Sequence, residues 1–290
     1  MQTVNDLCYN YFSELYSGEK NMTDEHQMKY SRSVHPEDTV VTVGSVKIGD
    51  GSFVVISGPC AIESREQLVA AADAAKAAGA DLLRAGAFKP RTSPYEFQGL
   101  GREGLRLLRE AKQRVGLPVV SELTDLRQLD AFDDVDVIQI GARSMQNYEL
   151  LKELGKLRRP VLLKRGFGCT VRELLCSAEY LLAGGNSEVI LCERGIRTFH
   201  DSARFTLDLD SIAVIRERTH LPIIIDPSHA AGKASLVPSL ALAAASCRPD
   251  GMMLEVHPCP SAALCDGAQA LTPEALADLL PRLRDVAAGE

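Results

Sequence analysis

From residue 53 onward one pattern returns along the chain: a short β-branched run, a polar or glycine-bearing turn, then a helical stretch with apolar residues three and four apart. The runs are Phe53 to Ser57, Asp81 to Arg84, Pro118 to Glu122, Asp136 to Ile140, Pro160 to Lys164, Glu188 to Glu193, Pro222 to Asp226 and Gly251 to Glu255, eight in all. Strands that are apolar on both faces and alternate with helices demand a parallel sheet covered on both sides. Eight such units over about 240 residues predict a (β/α)8 TIM barrel. A doubly wound open sheet is the other solution, but no Gly-rich dinucleotide turn follows the first strand.

Local signals place the helices. Ser64 with Gln67 and Thr170 with Glu173 read as capping boxes, and Thr272 followed by Pro273 as an N-cap and first helical residue. Gly79, Gly116, Gly155 and Gly184 sit where helices should stop. Ahead of the barrel, Thr39 to Val43 and Val46 to Ile48, joined by Gly44 and Ser45, predict a β-hairpin that plugs the barrel's N-terminal mouth. Residues 39–290 therefore form the predicted catalytic domain, and residues 1–38 a polar, irregular extension. Within that extension Val4 to Tyr16 carries Leu7, Tyr9, Phe12, Leu15 and Tyr16, and reads either as a helix docking on a partner subunit or as a disordered terminus.

Charge bounds the partners. A formal net charge of −7 argues against a surface made for nucleic acid or an anionic membrane, since both need a basic face. The longest apolar runs are strand-sized and the N-terminus lacks both a basic and an apolar leader region, which predicts a soluble, untargeted, cytoplasmic protein. Its eight cysteines show no CxxC spacing and read as reduced thiols, most of them core.

In a barrel of this class the active site lies at the C-terminal ends of the strands. There the sequence places Cys60, Arg84, Glu122, Arg143, Lys164, Glu193 with Arg194, Asp226 with His229, and Glu255. Turn and cap residues alone would not require so many ionisable groups, and crowding them is costly unless they bind something. Arg84, Lys89, Arg91, Arg143, Lys164, Arg165, Arg194 and Arg197 make a cationic lining suited to a ligand with several phosphate or carboxylate groups. Some of these pair with Glu122, Glu193 and Asp226 instead, and Arg165 and Arg197 are the two expected to do so.

Cys60, His229, Glu255 and Asp266 offer a thiolate, an imidazole and two carboxylates, a set open to several divalent metals. No local spacing motif links them, and a lone cysteine or histidine is more often a core or hydrogen-bonded residue. Lys164 also offers a rival chemistry, a Schiff base with a carbonyl substrate, but Arg165 and the other cations point it toward ion pairing. Walker-type phosphate loops and Ser-His-Asp arrangements are absent from the sequence.

At these residues the chain resembles the 3-deoxy-D-arabino-heptulosonate 7-phosphate (DAHP) synthases, in the branch that shares its barrel with 3-deoxy-D-manno-octulosonate 8-phosphate (KDO-8-phosphate) synthase. The matching stretches are GPCAIES from Gly58, LRAGAFKPRTSPYEFQGLG from Leu83, SELTD from Ser121, IQIGARSMQN from Ile138, LLKRG from Leu162, LCERGIRTF from Leu191, IIDPSHAAG from Ile224, and EVHP followed by DGAQ.

The resemblance implies a metal-dependent condensation of phosphoenolpyruvate with erythrose 4-phosphate, giving DAHP and phosphate, the first step of the shikimate pathway. It implies one divalent metal (Mn, Fe, Co or Zn) on Cys60, His229, Glu255 and Asp266, with Cys60, His229 and Lys164 as candidate catalytic residues. It assigns Arg84, Lys89, Glu122, Arg143, Lys164 and Arg194 to phosphoenolpyruvate, and Lys89, Pro90, Arg91 and Thr92 to erythrose 4-phosphate. KDO-8-phosphate synthases carry an Asn-Arg-Ser-Ser type of segment where this chain has Pro90-Arg91-Thr92, which favours the four-carbon aldose. Some members of that sister group replace the metal-binding Cys by Asn, so Cys60 points to the metal-dependent enzymes. The family's habit implies a homodimer or homotetramer.

Two departures stand out. The family usually has Met and a small polar residue after LLKRG, where this chain has Phe167, Gly168 and Cys169; after RTF it usually has Asn where this chain has Phe205. About 50 residues ahead of the barrel are too few for the regulatory domains some relatives carry, so no fused aromatic-amino-acid sensor is expected. The remaining alternatives are a KDO-8-phosphate synthase using arabinose 5-phosphate and a non-catalytic barrel that binds sugar phosphates.

Overall fold

The computed structural model describes residues 25–289. Its eight parallel strands close into a barrel: β3 (Val54–Gly58), β4 (Leu82–Arg84), β5 (Val119–Glu122), β6 (Val137–Ile140), β7 (Val161–Lys164), β8 (Val189–Glu193), β9 (Ile223–Ile225) and β10 (Gly251–Glu255), with β10 pairing back onto β3. This is the predicted (β/α)8 architecture. Most predicted runs begin one residue early, because the residue at the foot serves the ladder without joining it. The carbonyls of Pro118, Pro160 and Pro222 accept from the neighbouring strand, and the carboxylates of Asp81 and Asp136 accept from Val55 N and Val119 N, each at 2.7 Å.

The helices are α1 (Arg65–Ala78), α2 (Arg102–Val115), α3 (Tyr148–Gly155), α4 (Val171–Ala183), α5 (Asp210–Arg218), α6 (Pro227–Ala231), α7 (Val237–Ser246) and α8 (Pro273–Ala288). Thr170 and Glu173 form the full capping box expected at α4, whereas Ser64 only accepts from Gln67 N, the Gln67 side chain being engaged by Glu63 N. The unit after β5 has a 3-10 turn, Leu126–Ala131, in place of an α-helix, capped by Asp125 and closed by buried Phe132 seven residues later. Gly79 and Gly116 end their helices in the left-handed conformation, as expected. Gly155, the last residue of α3, and Gly184, the cap of α4, also stand at helix ends, but Gly184 is right-handed; a Cβ on it would lie 2.6 Å from the Gly155 carbonyl carbon, so the pair lets α3 and α4 touch backbone to backbone.

Side chains alternate between two apolar layers, as the pleat requires. Outward residues such as Val55, Leu83, Val119, Ile138, Leu163, Val189, Ile223 and Met252 pack under the helices. Inward residues such as Ile56, Leu82, Val120, Val137, Leu162, Ile190, Ile224 and Met253 fill the barrel. The hairpin, β1 (Val41–Val43) paired antiparallel with β2 (Val46–Ile48), adds Val41, Val43 and Ile48 to that inner layer and closes the bottom. The opposite end is thereby left as the mouth.

From Glu25 to Asp38 the chain lies on α4 and α5. The Glu179 carboxylate accepts from Lys29 N and Tyr30 N at 3.0 Å each, Tyr30 is buried, and Arg32 Nε donates to Arg216 O at 2.7 Å. The Val4 to Tyr16 segment lies outside the described residues. Among the described residues no helix is long and apolar enough to cross a membrane.

Candidate active site

Closure of the sheet gathers the strand ends around a cavity of about 230 Å³. Two glycines make its geometry. A Cβ on Gly58, at the end of β3, would sit 2.1 Å from Arg84 O, so only glycine lets the Cys60 loop run this close to β4. A Cβ on Gly141 would sit 2.0 Å from Glu122 Oε1, so its absence leaves room for that carboxylate.

Cys60, His229, Glu255 and Asp266 converge: one ligand atom from each lies within 4.8 Å of all the others. The elements that carry them fix their aim. Asp226 caps α6 through His229 N (3.0 Å), and its other oxygen stands 2.7 Å from His229 Nδ1, which turns Nε2 toward Glu255 Oε1 at 3.2 Å. Glu255 accepts from Arg84 Nη1 at 2.6 Å and from Gln269 Nε2 at 2.7 Å. Asp266 holds a left-handed φ of +53°, tolerable for Asp, and its carboxylate meets Cys60 Sγ (3.0 Å) and Arg204 Nη1 (3.2 Å). Its loop is latched by Glu63, which accepts from Leu264 N at 2.8 Å and lies 3.3 Å from His257 Nε2.

Electrostatics match this donor set to a cation. Burial pushes the His229 imidazole below the usual histidine range, against the pull of Asp226 and Glu255. Burial opposes the charge on Asp226, Glu255 and Asp266, yet His229 with Lys164, Arg84 or Arg204 outweighs it and keeps all three below the carboxylate range. The contact with Cys265, burial and the Glu255 charge hold the Cys60 thiol well above its ordinary value. A thiol, an imidazole and two carboxylates crowded together fit a divalent metal that would displace the protons on sulfur and ring nitrogen and offset the acids. Asp226 behind His229 is the outer carboxylate such sites commonly use.

The nine residues that the resemblance assigns to the two substrates, Arg84, Lys89, Pro90, Arg91, Thr92, Glu122, Arg143, Lys164 and Arg194, all line the space. Most of the cations have acidic partners: Arg84 with Glu255, Lys164 with Asp226 (2.5 Å), Lys89 with Glu122 (3.9 Å) and Arg91 with Glu96 (3.0 Å). Arg143 and Arg194 have no carboxylate partner among the described residues. Arg165, as expected, turns away to Glu193 (2.9 Å) and Asp208 (2.7 Å). Arg197 does not pair with an acid among the described residues: it is exposed at the rim, where its guanidinium lies 5.2 Å over the Phe167 ring.

Sequence reasoning missed several lining groups. Arg204, Cys265, Phe167 and Phe205 all face the cavity. Arg204 lies ten residues beyond Arg194 in the same strand-to-helix loop, and only the fold of that loop brings it to Asp266. Cys265 was readable as the neighbour of Asp266, but not that its sulfur stands 3.5 Å from Cys60 Sγ and 3.0 Å from Arg91 Nη1.

Against known proteins, residues 24–288 match the DAHP synthetase I family model. A Thermotoga maritima phospho-2-dehydro-3-deoxyheptonate aldolase is 49% identical over 260 residues, covering 89% of this chain and 76% of that protein. The crystal structure of the T. maritima enzyme, described as a DAHP synthase, superposes with a TM-score of 0.88 at 43% identity, over 95% of this chain and 82% of that one. A 2-dehydro-3-deoxyphosphooctonate aldolase from Geobacter sulfurreducens is more distant, 31% identical over 266 residues, 85% of this chain and 97% of that protein.

Proposed function

This chain belongs to the DAHP synthetase I family, and from that premise we propose how its residues divide the work of a 3-deoxy-7-phosphoheptulonate synthase, the transferase that joins phosphoenolpyruvate to erythrose 4-phosphate at the head of the shikimate pathway. The observation that carries the reading is a four-residue ligand group at the edge of one cavity that also holds two arginines without acidic partners. Residues 39–290 are the catalytic domain in this reading, since the hairpin shares the barrel's inner core.

Arg143, Arg194, Lys89, Lys164 and Arg84 receive the phosphate and carboxylate of phosphoenolpyruvate, with Glu122 setting the Lys89 side chain. Pro90, Arg91 and Thr92, with Lys89, receive the aldose phosphate beside the metal ligands. The cations neutralise two mutually repelling anions and hold C3 of phosphoenolpyruvate against the aldehyde carbon, so positioning and charge compensation lower the barrier. C3 bonds to the aldehyde carbon, water adds at C2, and phosphate leaves by C–O cleavage. Cys60, His229, Glu255 and Asp266 would hold a divalent ion (Mn, Fe, Co or Zn), which supplies Lewis acidity toward the aldehyde or toward water.

Lys164 acts as an ion-paired binding group, supported by its 2.5 Å contact with Asp226, and not as a Schiff-base nucleophile. A cytoplasmic homo-oligomer fits the family's habit and the free thiols among the described residues. The test is consumption of phosphoenolpyruvate with erythrose 4-phosphate and then arabinose 5-phosphate, each with and without EDTA. Turnover with the four-carbon aldose that stops on verified metal removal and returns on readdition is expected; turnover indifferent to metal, or preferring arabinose 5-phosphate, overturns the reading.

A further inference from the structure

The two cavity arginines without carboxylate partners among the described residues both stand over phenylalanine rings, which they share with Arg197 at the rim and with Arg204, itself paired with Asp266. Arg194 Cζ lies 4.3 Å from the centroid of Phe205, and Arg143 Cζ 5.9 Å from that of Phe167. The rings stack on each other, centroids 5.6 Å apart and planes 24° from parallel. Phe167 comes from the loop after β7 and Phe205 from the loop after β8, so the pair bridges two loops of the mouth. The two rings are 38 residues apart in sequence, and the fold brings them into contact.

The chemistry of the two kinds of partner differs. A carboxylate fixes a guanidinium by occupying the in-plane N–H donors that an incoming oxyanion needs. An aromatic face attracts the cation through the ring quadrupole and leaves that donor edge open. Arg194 fits the second case: its hydrogen bonds within the protein are long, Nη1 to Gly195 O at 3.5 Å and Nη2 to His229 O at 3.4 Å. The Arg143 side chain makes no hydrogen bond to the described residues.

We propose that the stacked Phe167–Phe205 pair is a positioning element that holds Arg143 and Arg194 by their faces, so that their donor edges receive the phosphate of the substrate. The identity of that substrate rests on the phosphoenolpyruvate reading; the role of the rings does not. Apolar bulk alone would fill the same space, so the proposal is specific about aromatic character.

Leu and Tyr replacements separate the two. Calorimetry on the metal-loaded enzyme without aldose gives dissociation constants for phosphoenolpyruvate and for inorganic phosphate. Phe205→Leu and Phe167→Leu should each weaken both ligands about three- to tenfold, while Phe205→Tyr and Phe167→Tyr stay within about twofold of the parent. Unfolding temperature and the KM for the aldose should be unchanged. Phe167→Met, which keeps apolar bulk without an aromatic face, replaces Phe167→Leu if that variant does not fold. Leu variants that bind phosphate as tightly as the parent, or Leu and Tyr variants that weaken it equally, overturn the proposal. A parent that binds phosphate but not phosphoenolpyruvate would sink the substrate reading, while the Leu–Tyr contrast on phosphate still decides the role of the rings.

Discussion

Arg84 and Glu255 face each other across the barrel interior with 2.6 Å between Nη1 and Oε1, both almost wholly buried, and the same carboxylate oxygen stands 3.2 Å from His229 Nε2. One residue expected to bind substrate thus sets the orientation of one expected to bind metal. Removing one partner of a buried pair leaves the other charge uncompensated, so Arg84→Met should destabilise the protein by about 3–5 kcal/mol. Denaturant titration of metal-free protein checks this, and an unchanged midpoint would show that the pair is not a structural unit.

Metal affinity should rise with pH. Contact with Cys265, burial and the Glu255 charge keep the Cys60 thiol protonated in the metal-free protein, so binding an ion at the thiolate releases a proton. Below the thiol's titration the dissociation constant should increase about tenfold for each pH unit lost, and calorimetry in buffers of different ionisation enthalpy should count one proton from Cys60. Cys60→Ser should bind metal far more weakly with unchanged circular dichroism; parent-like affinity would return Cys60 to the core.

Arg91, proposed above to receive the aldose phosphate, reaches Cys265 Sγ at 3.0 Å and Glu96 at 3.0 Å. A lost charge-assisted hydrogen bond costs about 1.5–3 kcal/mol, so Arg91→Ala should raise the KM for erythrose 4-phosphate about 10- to 100-fold. The KM for phosphoenolpyruvate should hardly move. Equal increases in both would argue that Arg91 shapes the cavity as a whole.

Borohydride reduction in the presence of erythrose 4-phosphate, or of phosphoenolpyruvate, should leave Lys164 at its unmodified mass. The Nζ lies 2.5 Å from Asp226 Oδ2 in a buried ion pair, which is the wrong setting for a neutral amine nucleophile. A trapped adduct on Lys164 would replace the ion-pairing role by covalent catalysis.

His220 links the stretch before the barrel to β9's foot. Its Nδ1 is 2.6 Å from Thr39 Oγ1 and its Nε2 is 2.9 Å from Lys29 O, with His35, Arg32 and Asp38 nearby. Burial lowers its pKa below the usual histidine value, so the unfolded chain takes up a proton at higher pH than the folded one. Its contribution is therefore complete above the ordinary value of about 6.5 and is lost as the pH falls from there through the folded value. Thermal unfolding should show a plateau above neutrality and a decline toward pH 5. His220→Gln should flatten part of that decline, the rest coming from His229, which burial lowers in the same direction.

Much of this protein is written locally. Periodicity gave eight strands, and each ended within two residues of its expected position, because a strand buried on both faces needs a continuous apolar run and stops where charged residues begin. The four ligand residues were visible as strand-end chemistry and became a defined set through the family motifs. Tertiary structure decided which charges cancel. It put Arg165 against Glu193 and Asp208 but left Arg197 over Phe167, brought Arg204 and Cys265 to the ligand group, and stacked Phe167 on Phe205 beneath two arginines that have no carboxylate partner among the described residues. The reason is physical: a hydrophobic period is set by neighbours a few residues away, whereas the partner of a guanidinium is whichever side chain barrel closure delivers within a few ångströms, from 28 residues away for Arg165 and Glu193 to 171 for Arg84 and Glu255.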